Sequence, residues 1–319
     1  MQDVKELLDM DRAIEIQRRA FLAEAAARTV ASPNSWLHLP GDRRGWLKIL
    51  AGYDADTTGL GVKVLARFPN NPPGANLGSV LMLFDDMNGF PLAIMDSVYI
   101  TAVRTGAGAG LVTQVLAPDA RSVGLVGTGV VAWYSLLAMR ATSPSLSELN
   151  VYSRSKERRE AFVSRANSEL GIEASAVGTV KDALHGVDVV VTATNSAEPV
   201  VQTHHLEPGQ LVNAMGIRTE IAPDATARCF VVGDGREETL ADGKFSIALK
   251  EGLVTEDDLG PTLGEILRDG APSRAGGTIT LFDSSGIAVQ DVACARFVWE
   301  RAEELNAGTS VDLGLDGSP

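Results

Sequence analysis

The chain contains 319 residues, of which 45% are hydrophobic and 22% are charged, and its formal net charge is −13. At about 150 residues per domain this length predicts two folded domains, while the acidic charge and the lack of a dense Lys/Arg stretch argue against a nucleic-acid partner. No apolar run approaches the ~20 residues of a membrane helix, so no membrane partner is expected. The acidic N-terminus does not resemble a secretory signal, and we expect a cytoplasmic protein.

The cysteine and histidine residues indicate neither a disulfide nor a metal site. Cys229 and Cys294 lie in apolar stretches of sequence and lack the paired spacing of metal ligands, as is typical of buried thiols in a reducing compartment. His204 and His205 are adjacent in a predicted loop, without partners at metal-ligand spacing. We interpret them as surface residues and expect no metal.

The first third of the chain predicts an α+β domain. Residues 5–29 place apolar residues at helical spacings among charges, which indicates one or two amphipathic helices. Five β-prone runs follow, at 36–39, 46–49, 61–68, 79–84 and 90–95. Asn88-Gly89 separates the last two runs, and Asn-Gly between apolar runs is a strong hairpin signal, so these two strands should pair antiparallel.

The rest of the chain alternates strands with helices. A helix rich in Ala and Gly is expected at 100–116, where Arg104 is the only charged residue. Strands are then expected at 122–126, 148–152, 189–194, 210–215, 229–233 and 279–282, with helices at 130–141, 156–170 and 180–184. This alternation predicts an α/β fold with a doubly wound parallel sheet of the Rossmann type. A last amphipathic helix is expected at 288–305.

A glycine-rich turn joins the first strand of this sheet to its helix; it comprises Gly127, Thr128, Gly129, Val130, Val131 and Ala132. Gly127 permits a tight turn, Gly129 lets the backbone approach a pyrophosphate, and Ala132 lets the helix lie close to the sheet. The helix N-terminus then faces the phosphates. The strand before this motif and the helix after it favour dinucleotide binding. The alternative is a tight turn without a ligand.

The next strand ends in a basic, hydroxyl-bearing segment instead of the acid that is typical of NAD sites. This segment consists of Ser153, Arg154, Ser155 and Lys156. An Arg flanked by hydroxyls can bind a 2′-phosphate, so we expect NADP(H) to be preferred, with NAD(H) possible; the alternative is a solvated helix start. At the C-terminal end of a later strand, Thr192, Ala193 and Thr194 either line the cofactor or cap the next turn.

Several spaced motifs together resemble the ornithine cyclodeaminase/μ-crystallin family over nearly the whole chain. Besides the glycine-rich turn, they are Gly61-Val62-Lys63-Val64, Ile94-Met95-Asp96, Thr101-Ala102-Val103-Arg104-Thr105, Asp188–Thr194 with Pro199, Asn213-Ala214-Met215-Gly216, Leu263-Gly264-Glu265-Ile266, and Ser285-Gly286-Ile287-Ala288 with Asp291. Their order and spacing are specific, although each alone is weak. The resemblance implies a homodimer, a substrate-binding and dimerisation domain at 1–117 with 289–319, and an NAD(P)-binding domain at 118–288.

The family resemblance also implies site residues. Ser285 and Gly286 match the segment beside the nicotinamide, and Thr105, Met215 and Gly216 lie in matching motifs and are expected to contact the cofactor. A strand-to-helix turn capped by the serine is the alternative for Ser285.

Two cations suit a reaction at the α-carbon of an amino or imino acid. Such a substrate needs its carboxylate fixed while a hydride moves, and Lys63 and Arg104 are similar to the family's carboxylate-binding cations. The resemblance also lets Lys63 lie near the imine nitrogen and exchange a proton with it. The alternative for both residues is an ordinary ion pair between domains.

Two positions depart from the family pattern. Asn34 stands where the family often has a carboxylate-binding Arg, a role that Arg43 or Arg44 could share. Arg218 follows the Met215-Gly216 motif, where cyclodeaminases carry an Asp, and it would repel a cationic diamine. Arg218 could instead bind a second substrate carboxylate or be a solvated loop charge. Glu220 could replace the missing Asp only if the loop shifts.

These observations predict an NAD(P)H-dependent reductase that moves a hydride to or from the α-carbon of a small α-imino or α-amino acid. An ornithine-type cyclodeaminase that recycles its NAD and releases ammonia is the second hypothesis. A μ-crystallin-like protein that binds NADP without turnover is the third.

Overall fold

The computed structural model of the protein describes residues 2–41, 45–72 and 76–314, apart from the side chain of Gln2. Its helices are α1 (Gln2–Leu7), α2 (Met10–Ala25), α3 (Val98–Leu116), α4 (Val130–Thr142), α5 (Lys156–Leu170), α6 (Val180–Leu184), α7 (Pro223–Ala227), α8 (Arg236–Asp242), α9 (Lys244–Lys250), α10 (Leu263–Asp269) and α11 (Ala288–Leu305). Its strands are β1 (Thr29–Ala31), β2 (Ser35–His38), β3 (Trp46–Asp54), β4 (Gly59–Arg67), β5 (Leu77–Phe84), β6 (Pro91–Asp96), β7 (Ser122–Val126), β8 (Glu148–Tyr152), β9 (Glu173–Ala176), β10 (Val189–Thr192), β11 (Leu211–Ala214), β12 (Phe230–Gly233), β13 (Leu259–Thr262) and β14 (Thr280–Asp283).

The chain packs as two compact units. The first comprises the residues up to Thr101 together with those from Ile287 onward, and the second comprises Ala102–Gly286. The boundary therefore falls inside α3, whereas the sequence-based boundary lies after residue 117. Gly106 and Gly110 explain this difference, because a Cβ atom on Gly106 would lie only 2.4 Å from the backbone of Tyr134 in α4. Glycine lets α3 pack closely on α4, so most of α3 belongs to the second unit.

The first unit is built on an antiparallel sheet with the order β1-β3-β4-β5-β6, and β2 also pairs with β3. The predicted hairpin is confirmed, since β5 and β6 pair antiparallel and the Asp85 N–H donates to the Phe90 carbonyl at 2.8 Å. Helix α11 packs on β3, β4 and α2. On this side of the sheet Leu50, Leu81 and Leu83 are buried, and they form the core of the unit.

The second unit contains an eight-stranded sheet with the order β13-β12-β14-β11-β10-β7-β8-β9. Every pairing in it is parallel, which confirms the predicted doubly wound fold. The carboxyl ends of these strands meet along one edge, where such sheets bind ligands. The sequence pattern misses β9 and β13, both at the sheet's margins, because Glu173–Ala176 and the Gly-Pro of Leu259–Thr262 carry little β-propensity.

Both cysteines are free thiols, and burial raises the pKa of the Cys229 thiol to about 12, so this thiol is unreactive at neutral pH. Within residues 2–41, 45–72 and 76–314, no cluster of His, Cys, Asp or Glu side chains could hold a metal ion. No helix in the same part of the chain combines the length and the apolar character that a membrane crossing requires.

Candidate cofactor and active site

The glycine-rich turn lies between β7 and α4, as the sequence predicts. Gly127 has a φ of +114°, and a Cβ atom there would lie 2.5 Å from the carbonyl oxygen of Ala193, so this position requires glycine. Gly129 is the N-cap residue of α4 and is exposed, and a Cβ atom on it would have no neighbour within 4 Å. The turn therefore leaves open space at the start of α4.

The N-terminus of α4 fits a phosphate group. Its first residue, Val130, is exposed, Val131 is half-buried and Ala132 is fully buried against the sheet. The first N–H groups of a helix have no partner inside the helix and carry partial positive charge. Backbone N–H groups of this kind, next to a glycine that allows close approach, are suited to the pyrophosphate of a dinucleotide.

The end of β8 lies beside this turn. The Thr128 hydroxyl donates to Ser153 Oγ at 3.3 Å. Ser155 caps α5, since its Oγ accepts a hydrogen bond from the Arg158 N–H. Arg154 and Lys156 are exposed, and Lys156 lies 3.8 Å from Glu160. This strand end therefore presents hydroxyl and cationic groups, as expected from the sequence.

A buried carboxylate, Glu220, joins the ends of β10 and β11. It accepts hydrogen bonds from the Gly216 N–H (2.7 Å), the Thr192 hydroxyl (2.8 Å) and both the N–H and the hydroxyl of Thr194 (2.9 and 3.0 Å). The sequence left two roles open for Thr192 and Thr194; in the structure their hydroxyls donate to Glu220. Burial raises the pKa of Glu220, while nearby Lys244 and these donors oppose that rise. Glu220 is therefore a structural anchor of these loops.

Lys244 joins the ends of β11 and β14, and the sequence analysis missed it. Its Nζ donates to the carbonyl oxygens of Ala214 (2.6 Å), Gly216 (2.9 Å) and Ser284 (3.3 Å), and it lies 3.6 Å from Asp283 Oδ1. Burial raises the pKa of Asp283, against the lowering effect of Lys244. A lysine that precedes the apolar run of α9 is the one signal that could have indicated this role.

Asp234 fixes the segment that contains Ser285 and Gly286. It follows β12, and its carboxylate accepts hydrogen bonds from the Ser285 hydroxyl (2.5 Å) and the Gly286 N–H (2.6 Å). Gly286 has a φ of +87°, and a Cβ atom there would lie 3.2 Å from Arg104 Nη2. The guanidinium of Arg104, which is 6% exposed, thus lies against the backbone of Gly286. Thr105 is buried beside Arg104 on α3, and Met215 is buried after β11.

Arg218 lies in the loop that follows Gly216. Half of its side chain is exposed, and its Nη1 lies 3.9 Å from Asp242 Oδ1. Glu220 cannot replace the missing Asp without breaking its four hydrogen bonds. In this conformation the loop presents a cation and no free carboxylate from Glu220.

Lys63 belongs to the first unit and forms a buried ion pair there. Its Nζ donates to Asp291 Oδ2 at 2.5 Å and to Thr101 Oγ1 at 3.4 Å, and both charged side chains are at most 2% exposed. Asp291 lies in the first turn of α11, so the last helix supplies the counter-ion of Lys63. Asn34 is half-buried in the segment before β2. Arg43 and Arg44 lie outside the described residues.

Comparisons with known proteins agree with this architecture. The family model described as the ornithine cyclodeaminase/mu-crystallin family matches residues 1–306. An alanine dehydrogenase of Archaeoglobus fulgidus is 32% identical, over 97% of this chain and 96% of its own length. The ketimine reductase mu-crystallin of Rattus norvegicus is 30% identical, over 81% of this chain and 80% of its own length.

Solved structures of other proteins are similar over nearly their whole length. The Δ1-pyrroline-2-carboxylate reductase of Thermococcus litoralis, in complex with NADH and L-proline, has a TM-score of 0.91 and 29% sequence identity, covering 97% of this chain and 98% of that chain. The family match spans nearly all of the sequence, and the relatives share both its length and its fold. The chain therefore belongs to the ornithine cyclodeaminase/mu-crystallin family, as its motifs indicate.

Proposed function

We propose that this protein is an NAD(P)H-dependent reductase of small α-imino acids that also catalyses the reverse oxidation of the α-amino acid. One observation supports this most directly. Arg104, a buried cation suited to a carboxylate, lies against Gly286 at the carboxyl edge of a dinucleotide-type sheet. The dehydrogenase and reductase relatives act on amino and imino acids by name, which agrees with this chemistry.

The residues of the second unit fit a dinucleotide. The backbone of Gly127–Val131 would hold the pyrophosphate, and the segments at Thr192–Thr194, Met215-Gly216 and Ser285-Gly286 would line the nicotinamide end. The bound cofactor supplies the hydride that the α-carbon receives. Lys244, Glu220 and Asp234 position these segments through the hydrogen bonds described above, so the loops are fixed before the cofactor binds.

Arg104 and Lys63 would handle the substrate. Arg104 binds the carboxylate and so orients the α-carbon. Lys63, which donates a hydrogen bond to Asp291, binds the carboxylate as well, or donates a proton to the imine nitrogen as that nitrogen becomes an amine. The hydride and this proton together balance the reduction of C=N to CH–NH. Asn34 would add a neutral hydrogen bond to the carboxylate.

Cyclodeamination is the second candidate, and the loop after Gly216 argues against it. A cyclodeaminase needs an acid for the substrate's second amine, whereas Arg218 stands there and Glu220 is engaged by four hydrogen bonds. Arg218 would repel the second ammonium group of ornithine. We therefore expect no ammonia release from ornithine.

NADPH is the preferred cofactor in this proposal. The segment after β8 offers the exposed Arg154 and the hydroxyl of Ser153. The Ser155 hydroxyl donates to the Glu157 carboxylate at 2.8 Å and would have to turn from it to bind a phosphate. A 2′-phosphate would gain charge-assisted hydrogen bonds from these groups. The Thermococcus relative is solved with NADH, and titration of this protein with NADPH and with NADH tests the preference proposed here.

We also propose a homodimer, based on the face of the first sheet opposite α11. A row of apolar residues crosses four strands there, and the register pairs its members directly: Ala51, Val62, Met82 and Ile94. Ile94 is 61% exposed and Val80, in the next row, 37%. An extended exposed apolar surface marks a protein interface, and the face of a second copy would complement it.

The decisive experiment for the function is a turnover assay with an Arg104 variant. The protein is incubated with NADPH or NADH and with cyclic five- and six-membered imino acids, or with ornithine, and nicotinamide absorbance and released ammonia are followed. We expect imino-acid-dependent NADPH oxidation. Arg104→Ala should lower kcat/KM about 10- to 100-fold, which corresponds to the loss of one charge-assisted hydrogen bond, while cofactor affinity stays within about threefold.

Ammonia from ornithine without net cofactor change would establish the cyclodeaminase. No turnover with any substrate, in native protein that binds cofactor, would leave the binding-protein hypothesis.

A further inference from the structure

We propose that Asp234 makes the hydroxyl of Ser285 a hydrogen-bond acceptor for the NH₂ group of the nicotinamide carboxamide, so that these two residues set the orientation of the nicotinamide ring. This inference rests on the proposed reductase function, and it assigns the group of the cofactor that Ser285 binds. Three properties of the Ser285 hydroxyl support it: a fixed position, a proton that is already engaged, and a place on the nicotinamide side of the sheet.

The backbone around Ser285 is fixed on both sides. Ser284 precedes it, and the carbonyl oxygen of Ser284 accepts a hydrogen bond from Lys244 Nζ at 3.3 Å. Gly286 follows it with a φ of +87°, and the Gly286 N–H donates to Asp234 Oδ2 at 2.6 Å. The side chain of Ser285 therefore starts from a defined point of the backbone.

The proton of the Ser285 hydroxyl is engaged by Asp234, which is fully buried. The hydroxyl donates to Asp234 Oδ1 at 2.5 Å, a length typical of a charge-assisted O–H···O⁻ hydrogen bond. Both oxygens of this carboxylate also accept a backbone N–H, Oδ1 from Gly235 at 3.1 Å and Oδ2 from Gly286 at 2.6 Å. Because a backbone N–H can only donate, both oxygens act as acceptors, and the proton between Asp234 and Ser285 belongs to the serine.

The remaining hydrogen-bonding capacity of Ser285 is that of an acceptor. A serine hydroxyl has one donor hydrogen and two lone pairs, and Asp234 takes the hydrogen. Within the described part of the chain, Ser285 Oγ has no second hydrogen-bond partner, and the residue is half-buried. Ser285 therefore selects a ligand group that donates a hydrogen bond.

Ser285 lies on the nicotinamide side of the sheet. The glycine-rich turn follows β7, and the segment proposed for the 2′-phosphate follows β8, the neighbour of β7 on one side. On the other side the sheet continues through β10 and β11 to β14, and Ser285 comes two residues after β14. A dinucleotide crosses the carboxyl edge of such a sheet at the point where the strand order reverses. With the adenosine half at β8, the nicotinamide half extends toward β11 and β14.

The nicotinamide carboxamide carries one donor group and one acceptor group, its NH₂ and its carbonyl oxygen. The acceptor Ser285 Oγ fits the NH₂ group, whereas the reverse orientation would place the carboxamide oxygen against the lone pairs of the serine. With the pyrophosphate held at the glycine-rich turn, the position of the carboxamide decides which face of the ring meets the substrate. Ser285 contacts the cofactor in this arrangement, and Asp234 is a positioning residue that acts through it.

Binding of cofactor analogues tests this assignment without turnover. In the 3-acetylpyridine analogue of NADP⁺ a methyl group replaces the carboxamide NH₂, whereas the thionicotinamide analogue keeps the NH₂ and replaces the oxygen by sulfur. Each dinucleotide is titrated into the protein by isothermal titration calorimetry. We expect the acetylpyridine analogue to bind about tenfold more weakly than NADP⁺, because the hydrogen bond is lost and its acceptor is left unpaired. The thionicotinamide analogue should bind within about threefold of NADP⁺.

Three variants distinguish the presence of the hydroxyl from its direction. Ser285→Ala should lower the affinity for NADP⁺ to that for the acetylpyridine analogue, and Ser285→Thr should retain the preference. In Asp234→Asn the Gly286 N–H keeps the amide oxygen, so the amide NH₂ faces Ser285 and the serine proton turns toward the cofactor. The preference for NADP⁺ should then fall to within about twofold, although the hydroxyl is still present. The control Ser147→Ala, at an exposed serine directly before β8, should change neither affinity.

The ratio of the two affinities is the decisive quantity, since general damage to the fold weakens both dinucleotides alike. Equal binding of NADP⁺ and the acetylpyridine analogue, or a preference that survives Ser285→Ala, would overturn the carboxamide contact. Reduction of imino acids in that case would leave the reductase proposal intact. A preference that is lost in Ser285→Ala but retained in Asp234→Asn would overturn the role of Asp234. The expected ratios without turnover of any imino acid would instead overturn the reductase and keep the contact.

Discussion

Replacing Lys244 by Met tests whether the buried charges at the sheet's carboxyl edge act as one unit. Met has a similar length, so the change removes the ammonium group and leaves little empty space. Three carbonyl oxygens at 2.6, 2.9 and 3.3 Å lose their donor, and Asp283 and Glu220 remain buried without their cation. Removing one partner of a buried ion pair costs about 3–5 kcal/mol. We expect a loss of this size in the free energy of unfolding at pH 7.5.

The loss in the free energy of unfolding that Lys244→Met causes should depend on pH. The pKa values of Glu220 and Asp283 are already raised in the folded protein by burial, and loss of Lys244 raises them further. Between the unfolded and the folded pKa the folded state binds the extra proton, so the free energy of unfolding increases as the pH falls. Each such carboxylate therefore restores part of the lost free energy of unfolding as the pH falls. The difference in the free energy of unfolding between the variant and the native protein should therefore be smaller at pH 5.5 than at pH 7.5.

Urea unfolding followed by circular dichroism at both pH values measures this deficit. Lys250→Met, at an exposed site on the same helix, is the matched control and should change stability by less than about 0.5 kcal/mol. Adding Asp283→Asn to Lys244→Met should restore part of the loss at pH 7.5, because one buried charge is removed. A loss below about 1 kcal/mol, or the same loss at pH 7.5 and 5.5, would refute the proposed coupling.

Four further outcomes are expected. Gly127→Ala should lower the free energy of unfolding by about 1–3 kcal/mol, because alanine is strained at the positive φ of this position and its Cβ atom would meet Ala193. Gly129→Ala should fold normally and weaken only cofactor binding. Urea unfolding and cofactor titration distinguish the two variants, and equal losses of stability would contradict this expectation. Arg154→Ala should weaken the binding of NADPH at least about tenfold and leave the binding of NADH unchanged. The control variant Lys181→Ala should bind both cofactors as the native protein does. Equal losses of affinity for NADPH and NADH in Arg154→Ala would contradict the assignment of Arg154 to the 2′-phosphate. Burial alone would raise the pKa of Asp188, but hydrogen bonds from Arg121 and Ser122 outweigh it and lower that pKa. Asp188→Asn should thus have a lower free energy of unfolding than the native protein at pH 7. This difference in the free energy of unfolding should shrink as the pH falls below the ordinary carboxyl pKa of 3.8, and a difference that does not change with pH would contradict the prediction. Met82→Asp should convert the expected dimer into a monomer in light scattering, and an unchanged mass would exclude this sheet face as the interface.

Local patterns were sufficient for most of the secondary structure. The strand Ser122–Val126 and the helices at Lys156–Leu170 and Ala288–Leu305 have the predicted bounds. Their apolar spacing lies within each segment, and the cap residues of the two helices lie directly beside it. The strands β1, β9 and β13 were missed, since three or four weakly apolar residues become strands only when a neighbouring strand supplies hydrogen bonds. That information is not local.

The candidate site also contains features that the local sequence predicts and features that depend on residues distant in sequence. The glycine-rich turn is confirmed as a tight strand-to-helix connection, because the positive φ of Gly127 belongs to the turn between two elements that are adjacent in sequence. The close approach of Ala193 to Gly127 could not be predicted from this local pattern. The partners of the loops were not predictable in this way. Asp234 and Ser285 are far apart in sequence and meet because β12 and β14 are neighbours in the sheet. Glu220 was considered as a substitute acid, but its role as a hydrogen-bond acceptor for three strand-end residues became evident only from the fold.

The return of α11 to the first sheet has a consequence for synthesis of the protein. A ribosome releases the chain from its N-terminus, so Ala102–Gly286 is complete and continuous when the helix that covers β3 and β4 is still to be made. Until then the buried side chains Leu50, Leu81 and Leu83 have no cover, and Lys63 has no Asp291. The second unit can therefore fold during translation, while the sheet of the first unit is completed only after α11 has been synthesised. A chain that stops before Ala288 would present an uncovered sheet to chaperones and proteases, however intact its nucleotide-binding fold.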